Sequence, residues 1–267
     1  MPRAIWSGAL SFGLVNVPVK VVSAISQKEV HFNQLHGKDG GRVEMKRHCT
    51  AGDHEVPYDE IVKGYKIGGE EYVMLTKEEL EQLSPAKSET IDIVDFVDIA
   101  QIDPIYFEKP YYLVPDKGGA KAYRLLHEAM EKSGRVAIAR FVMRSREHLV
   151  AVRPLANVLT MTTLNYHDEV IDTEGLDGLP SETKIPPREL EMAQKLIDAL
   201  TTSFDPEKYT DEYREQVLAL IEAKAEGKEI VAPPAPAQAK AKDLVSALEA
   251  SLEAARSRSR TKGRADA

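Results

Sequence analysis

The sequence predicts an α+β fold in which strands dominate. Short runs of β-branched and aromatic residues, with Gly or Pro at their ends, indicate strands over most of the chain. Apolar residues that recur every three or four positions after Gly119, after Pro186 and near the C-terminus indicate helices. With 267 residues and 43% hydrophobic residues, the chain can form one large core with smaller segments attached.

The first predicted element is a pair of short strands between Ile5 and Val21 that meet at a bend at Gly13. Gly8 and Gly13 permit a kink or a close approach of two backbones. Pro18 lacks an amide donor, so we expect the second strand at a sheet edge or a barrel corner. An ordinary buried hairpin explains the same local pattern.

The middle of the chain continues as strands with few helices. Residues 23–55 are polar, and their glycines mark turns. Thr76-Lys77-Glu78-Glu79 is a capping box that predicts the start of a short helix. The remaining predicted elements are strands over 56–73, 90–105, 111–114 and 155–166, a helix over 119–134 and an acidic loop over 168–177.

The segment from Arg135 to Arg153 has the highest arginine density of the predicted globular region. It holds five arginines and one glutamate, a local charge of +4 in a chain whose net charge is −8. Two strands around a turn at 144–147 form a hairpin, and alternation places Arg140 and Arg144 on the same face. A solvated basic hairpin is one explanation, but arginine also suits phosphate. The segment is therefore a candidate for phosphate contact.

The C-terminal region is predicted to be helical and divided by a linker. Helices are expected over 186–200 and 210–225, followed by a Pro- and Ala-rich linker. The next helix is too short to bury its own apolar stripe, so we expect it to dock on another protein. Residues 256–264 are predicted to be a disordered basic arm that contacts phosphate non-specifically. The stripe consists of Leu244, Val245, Leu248 and Leu252.

Composition limits the function classes. A net charge of −8 argues against nucleic acid unless the basic side chains are gathered on one surface. The single cysteine, Cys49, excludes an internal disulfide and fits a reducing compartment. No apolar run is long enough to cross a bilayer, and no signal pattern is visible, so a soluble cytoplasmic protein without a membrane partner is expected.

Catalytic and metal motifs give no positive prediction. His31, His36, His48, Cys49 and His54 suggest zinc, but no second cysteine completes a ligand pair, so no metal is predicted. No nucleophile elbow, phosphate loop or dinucleotide fingerprint is present, and the adjacent His167 and Asp168 point to opposite faces of a strand. We therefore predict a binding protein without catalytic residues or cofactor. A metal-dependent nuclease that uses Asp92, Asp95 and Asp98 remains an alternative, although strand alternation separates Asp95 from the other two.

Four longer strings in the chain occur together in one known family. The first string resembles the opening of the bacterial Ku proteins, the DNA-end-binding factors of non-homologous end joining, and the other three resemble the same family in register over residues 3–225. Four matches in order are more specific than any short motif. The strings are Trp6-Ser7-Gly8 with Ser11-Phe12-Gly13-Leu14-Val15-Asn16 and Pro18-Val19-Lys20, Val56-Pro57-Tyr58-Asp59-Glu60-Ile61-Val62-Lys63-Gly64-Tyr65, Lys109-Pro110-Tyr111-Tyr112-Leu113-Val114-Pro115, and Arg144-Ser145-Arg146-Glu147-His148-Leu149-Val150.

The resemblance implies a β-barrel core with an inserted arm and peripheral helices. It further implies a ring-forming homodimer that threads linear double-stranded DNA ends, associates with the nucleoid, and recruits and stimulates the end-joining ligase. We accordingly expect a core with its arm over 1–185, a helical extension over 186–230, a linker over 231–242 and a docking helix with a basic tail over 243–267. The ligase contact is assigned to about 242–256. A β-barrel scaffold that does not bind DNA is the remaining alternative.

Charge and strand geometry, rather than a family motif, select the candidate DNA contacts. The first choices are the arginines of the 135–153 hairpin, the second are the basic residues before Cys49, and two lysines are weaker candidates. In that order they are Arg140, Arg144 and Arg146, then Arg42, Lys46 and Arg47, then Lys20 and Lys117.

Overall fold

The computed structural model describes residues 3–83, 89–143, 146–180, 184–227 and 244–265. The chain forms two compact units, one made of residues 1–28 and 33–175, the other of residues 29–32 and 176–267. Among the described residues, the first unit contains all of the strands and two α-helices, and the second contains three α-helices. The predicted α+β fold with dominant strands is confirmed.

Seven strands of the first unit close into a barrel in the order β1-β2-β6-β9-β8-β7-β5. All neighbouring pairs are antiparallel except β1 and β5, which run parallel and close the barrel. The strands are β1 (Ala4–Phe12), β2 (Val15–Ser23), β5 (Thr90–Asp98), β6 (Phe107–Pro115), β7 (Arg135–Met143), β8 (Arg146–Leu155) and β9 (Val158–Leu164).

The N-terminal hairpin forms as the sequence predicted, with Gly13 at positive φ in its turn. A Cβ atom at Gly8 would collide with the carbonyl oxygen of Glu89, so the expected close backbone approach is confirmed. Of the two positions expected for the second strand, a sheet edge or a barrel corner, the sheet edge is wrong, because β2 pairs with β1 on one side and β6 on the other. Pro18 is tolerated because the pairing of β2 with β6 begins only at the following residue, Val19.

The barrel interior is filled by apolar side chains, and helix α2 (Ala120–Ser133) covers one open end. This helix packs against β2, β7 and β8, which lie on different sides of the barrel. Tyr123 anchors it by donating to the Leu113 carbonyl at 2.6 Å and accepting from the Leu159 amide at 2.7 Å. Gly134, with φ at 65°, ends α2 where the sequence predicted a stop.

An arm, defined here as residues 24–76, extends between β2 and helix α1 (Lys77–Leu83). Its only strands, β3 (Lys63–Gly68) and β4 (Glu71–Leu75), form a separate two-stranded sheet. No residue of the arm is buried within this chain. The predicted capping box is confirmed, since the Thr76 hydroxyl accepts from the Glu79 amide and the Glu79 carboxylate accepts from the Thr76 amide.

The strand predicted over 90–105 is too long. β5 ends at Asp98, and two 3-10 turns follow, at Ile99–Gln101 and Pro104–Tyr106. Asp103 caps the second turn by accepting from the amide of Ile105, a local bond that competes with strand pairing. Apolar residues of this segment then pack on the outer face of β7 and β8.

The second unit contains α3 (Pro187–Leu200), α4 (Glu212–Ala225) and α5 (Leu244–Ala265). The predicted linker over 231–242 lies outside the described residues. α5 packs against α3, and Val245, Leu248 and Leu252 are half-buried while Leu244 stays exposed. The apolar stripe of the predicted docking helix is thus largely covered by its own chain. The sequence had instead predicted a helix with an uncovered stripe.

The C-terminal tail departs from its prediction. Residues 256–264, expected to be disordered, continue α5 as a helix to Ala265. Extending an existing helix fixes one residue per hydrogen bond without a new nucleus, and the Arg and Lys residues of this segment favour helices. Among the helices in the described ranges, none has the length and apolar content needed to cross a membrane.

Candidate nucleic-acid interface

Arg140 lies on the outer face of the barrel, near the end of β7. Its neighbours in sequence, Ala139 and Phe141, are fully buried in the barrel core, so alternation directs Arg140 outward. Its side chain is 63% exposed, and Nη1 donates to Glu147 Oε1 on β8 at 3.4 Å. The long contact leaves most of the guanidinium edge open to an external anion.

Carboxylates of β5 lie beside the arginines of β7. Asp92 is the register partner of Arg140, and Asp98 accepts from Arg135 at 3.3 Å. The charge around the hairpin is therefore lower than the +4 of its own segment, because a neighbouring strand adds negative charge. The same placement gives Asp92 and Asp98 cationic neighbours on β7.

Arg146 does not share the face of Arg140. It begins β8 in the same alternation as the buried Val150 and Val152, so it is directed toward the barrel axis. Together with His148 it lines a cavity of about 540 Å³. Arg144, the third candidate of this hairpin, lies outside the described residues.

This cavity, called the barrel mouth below, lies at the end of the barrel opposite α2. Its lining comes from the first residues of β6 and β8 and the last residues of β7 and β9, whereas α2 joins the end of β6 to the start of β7. Glu108 and Lys109 form a 2.8 Å ion pair in its wall. The Lys109 ammonium lowers the pKa of Glu108, and the carboxylate in turn raises the pKa of Lys109.

The basic residues of the arm form a second group. Arg42 donates to the side-chain oxygen of Asn33 at 3.0 Å, and the Arg47 guanidinium lies 5.1 Å from the ring centre of Tyr58. Lys46 is paired with Glu55 at 2.9 Å. The two arginines thus have uncharged neighbours, while the charge of the lysine is compensated.

The two weaker candidates flank one carboxylate. Lys20 on β2 pairs with Asp116 at 2.7 Å, and this contact lowers the pKa of Asp116. Lys117 is exposed, and its backbone amide also donates to Asp116. The structure therefore distributes the seven described candidates over four places: the outer face at Arg140, the barrel mouth at Arg146, the arm, and the end of β6.

The histidines of the arm pair with carboxylates. His36 lies 2.9 Å from Asp39, and His48 lies 4.0 Å from Asp53. In the part of the chain that the structure describes, no three His, Cys, Asp or Glu side chains are grouped so that they could hold a metal ion.

Sequence reasoning did not identify the barrel mouth. Lys109 and His148 contributed only to the family resemblance, and Tyr166 and Glu169 fell within or beside a predicted acidic loop. The alternation of side chains along β8 could have shown that Arg146 and Arg140 lie on different faces. It could not show which of those faces is inside the barrel.

Comparison with known proteins identifies the family. The model of the Ku70/Ku80 beta-barrel domain family matches residues 11–192. A non-homologous end joining protein Ku from Anaeromyxobacter sp. is 53% identical over 97% of this chain and 88% of its own length. One from Symbiobacterium thermophilum is 46% identical over 95% of this chain and 63% of its own length. One from Archaeoglobus fulgidus is 44% identical over 94% of this chain and 99% of its own length.

The family match covers more than half of the chain, and its region includes six of the seven barrel strands completely and the last two residues of β1. The relatives extend the similarity to nearly the whole chain. The chain therefore belongs to the Ku family of non-homologous end joining proteins.

Proposed function

We propose that this chain binds the ends of linear double-stranded DNA without reading their sequence, as a non-catalytic factor of non-homologous end joining. The observation that carries the proposal is the family match over a closed barrel whose outer face presents Arg140. Relatives at 44–53% identity are named as end-joining proteins. Binding through phosphates gives affinity and position but little sequence information.

A homodimer that encircles the duplex is the proposed binding form. The arm leaves large apolar side chains exposed, among them Met45 at 85% and Met74 at 71%. Exposed apolar surface of this kind favours a protein interface, and a second copy of the chain would cover it. A two-fold dimer also suits a duplex, because both partners then present the same residues to the two strands.

The proposed phosphate contacts are arginines that keep free donors. To residues within the described ranges, Arg140 makes one long bond, to Glu147, and Arg42 and Arg47 have neutral neighbours. Arginine binds phosphate through two parallel N–H bonds, which lysine does not do. The net charge of −8 would repel DNA from the rest of the surface and favour these places.

Recruitment of the end-joining ligase is proposed for α5. The helix is amphipathic, but three of the four residues of its apolar stripe are half-buried in the contact with α3. A ligase would therefore have to compete with this contact. Truncation after Ala232 is expected to spare dimerisation and to abolish stimulation of the ligase. Full stimulation by the truncated chain would contradict this role of α5.

Comparison of a linear duplex with a covalently closed circle of identical sequence tests the main proposal. A threaded ring needs a free end, so the linear form should bind and the circle should compete poorly. Arg140→Gln should weaken linear binding and reduce the salt slope of log K by about one. Arg124→Gln, on an exposed arginine of α2 paired with Glu128, is the matched control. Equal competition by the circle would exclude threading.

A further inference from the structure

The barrel mouth has a charge distribution that the DNA proposal does not explain. Two of its carboxylates have cationic partners inside the protein: Glu108 pairs with Lys109, and Glu147 pairs with Arg140. Among the described residues, Arg146 has no carboxylate partner. An arginine with its donors free, directed toward a cavity, is suited to an anionic oxygen.

The mouth also holds an acceptor without a cation. Glu169 accepts from the amide of Tyr166 through Oε2 at 2.8 Å, and no ion pair involving it is found within the described ranges. Its second carboxylate oxygen can accept a hydrogen bond from a ligand. The cavity therefore offers a cationic donor and an anionic acceptor, so a simple inorganic anion would use only part of it.

The lining of the cavity also contains apolar surface that suits a flat ring. Tyr111, Tyr166 and Leu164 contribute aromatic and aliphatic surface to the lining. Burial is the largest cause that raises the pKa of Tyr166, so its phenol stays neutral at physiological pH. The volume of about 540 Å³ falls within the range of pockets that bind small organic ligands.

We propose that the barrel mouth binds a nucleoside 5′-phosphate whose base carries an exocyclic amine. The phosphate binds Arg146, the base lies against the tyrosines, and the amine donates to Glu169. The source of this ligand is either a free mononucleotide or the terminal nucleotide of a DNA end, and only the second source depends on the proposed DNA-binding function. The site adjoins the outer face that presents Arg140, because Glu147, which pairs with Arg140, is one of its lining residues.

Calorimetric titration of the full chain with deoxyadenosine 5′-monophosphate, thymidine 5′-monophosphate and inorganic phosphate tests the site. The adenine nucleotide should bind, and Arg146→Gln should weaken it about tenfold or more. Arg135→Gln is the matched control, because Arg135 lies at the other end of β7 and pairs with Asp98. Thymidine monophosphate, which lacks the amine, should bind more weakly, and Glu169→Gln should reduce that difference.

Three results would overturn the proposal: absence of binding by the adenine nucleotide, binding that Arg146→Gln leaves unchanged, or equal affinity for inorganic phosphate. Arg146 and Glu169 are exposed, so both substitutions should leave the fold intact, which circular dichroism checks.

A linear duplex with a terminal 2-aminopurine separates the two sources. If the terminal nucleotide enters the mouth, unstacking raises the fluorescence of 2-aminopurine, and Arg146→Gln removes the rise while duplex affinity persists. Binding of the mononucleotide without a fluorescence change identifies the free nucleotide as the ligand. Mononucleotide binding by a chain that binds no duplex would refute DNA-end binding and leave the pocket in place.

Discussion

The barrel and the arm treat apolar side chains in opposite ways. In the barrel, Leu10, Ile91 and Phe141 are completely buried within one chain. In the arm, no residue is buried, and Tyr65 is 69% exposed. The barrel therefore contains the core that stabilises its own fold. The arm has apolar surface that is protected from water only if something outside the chain covers it.

The same contrast extends to charge. Barrel cations such as Lys20 and Arg135 have carboxylate partners at 2.7 and 3.3 Å. In the arm, Arg42 faces an amide and Arg47 faces a tyrosine ring. Lys20 and Arg135 are thus partly neutralised, whereas these two arginines of the arm remain available to an external anion. Net charge alone cannot show this difference, because it depends on where each partner lies.

The largest effect is expected from a change in the barrel core. Phe141 is fully buried and packs edge-to-face on Trp6, with ring centres 5.1 Å apart. Phe141→Ala should lower the free energy of unfolding by about 3–5 kcal/mol, because it removes apolar contacts and leaves a cavity. Urea denaturation measures the loss. Tyr65→Ala in the arm is the control and should change it by less than about 0.5 kcal/mol at concentrations where the chain is monomeric.

The arm should instead control assembly. Met45→Ala together with Met74→Ala removes apolar surface that the proposed homodimer would bury. The dimer dissociation constant should rise about tenfold or more, as sedimentation equilibrium measures. The circular dichroism of the barrel should stay unchanged. An unaltered dissociation constant would show that the two-fold interface lies elsewhere on the chain.

Local chemistry explains which parts of the fold could be predicted. The capping box at Thr76, the stop at Gly134 and the N-terminal hairpin depend on a few neighbouring residues, and the sequence contains all of them. The end of β5 at Asp98 was missed, because the capping bond of Asp103 and packing on β7 and β8 override β-branched propensity.

Partners distant in sequence explain the rest. Lys20 and Asp116 are 96 positions apart, and Asp92 meets Arg140 only because β5 pairs with β7. The amphipathic pattern of α5 predicted a helix correctly, but it could not show that α3 covers the stripe. The sequence therefore predicted which residues are candidates for the site. Their division between the outer face and the barrel mouth could be seen only in the closed barrel.

The apolar side chains in the contact between α3 and α5 are half-buried. Their burial is therefore intermediate between that of the barrel core and that of the arm. Leu196 is on the covered side of α3, whereas the adjacent Ile197 is 64% exposed. Leu196→Glu should loosen the contact and speed amide hydrogen exchange in 244–254, with Ile197→Glu as control. If α5 binds the ligase, Leu196→Glu should also tighten ligase binding severalfold, because a larger fraction of α5 is free. Weaker ligase binding would instead indicate a surface shared by both helices.

The smallest effect is expected where a barrel cation is released from its carboxylate. Asp116→Asn removes the partner of Lys20. At pH 7 duplex affinity should rise, by less than about threefold, and the salt slope should steepen by at most about one, if Lys20 then reaches a phosphate.

The pH dependence of stability checks that the charge of Asp116, rather than its shape, is responsible. Lys20 lowers the pKa of Asp116 below its ordinary value of 3.8, so the folded state binds this proton less tightly than the unfolded state does. The pair therefore contributes stability above about pH 4, and the contribution is lost as the pH falls through the lowered pKa. In urea denaturation between pH 7 and pH 3, Asp116→Asn should lose less stability than the original chain. If the stability of both chains falls equally with pH, Lys20 is already unpaired in solution. Lys20 would then be available to an external anion, as the arginines of the arm are.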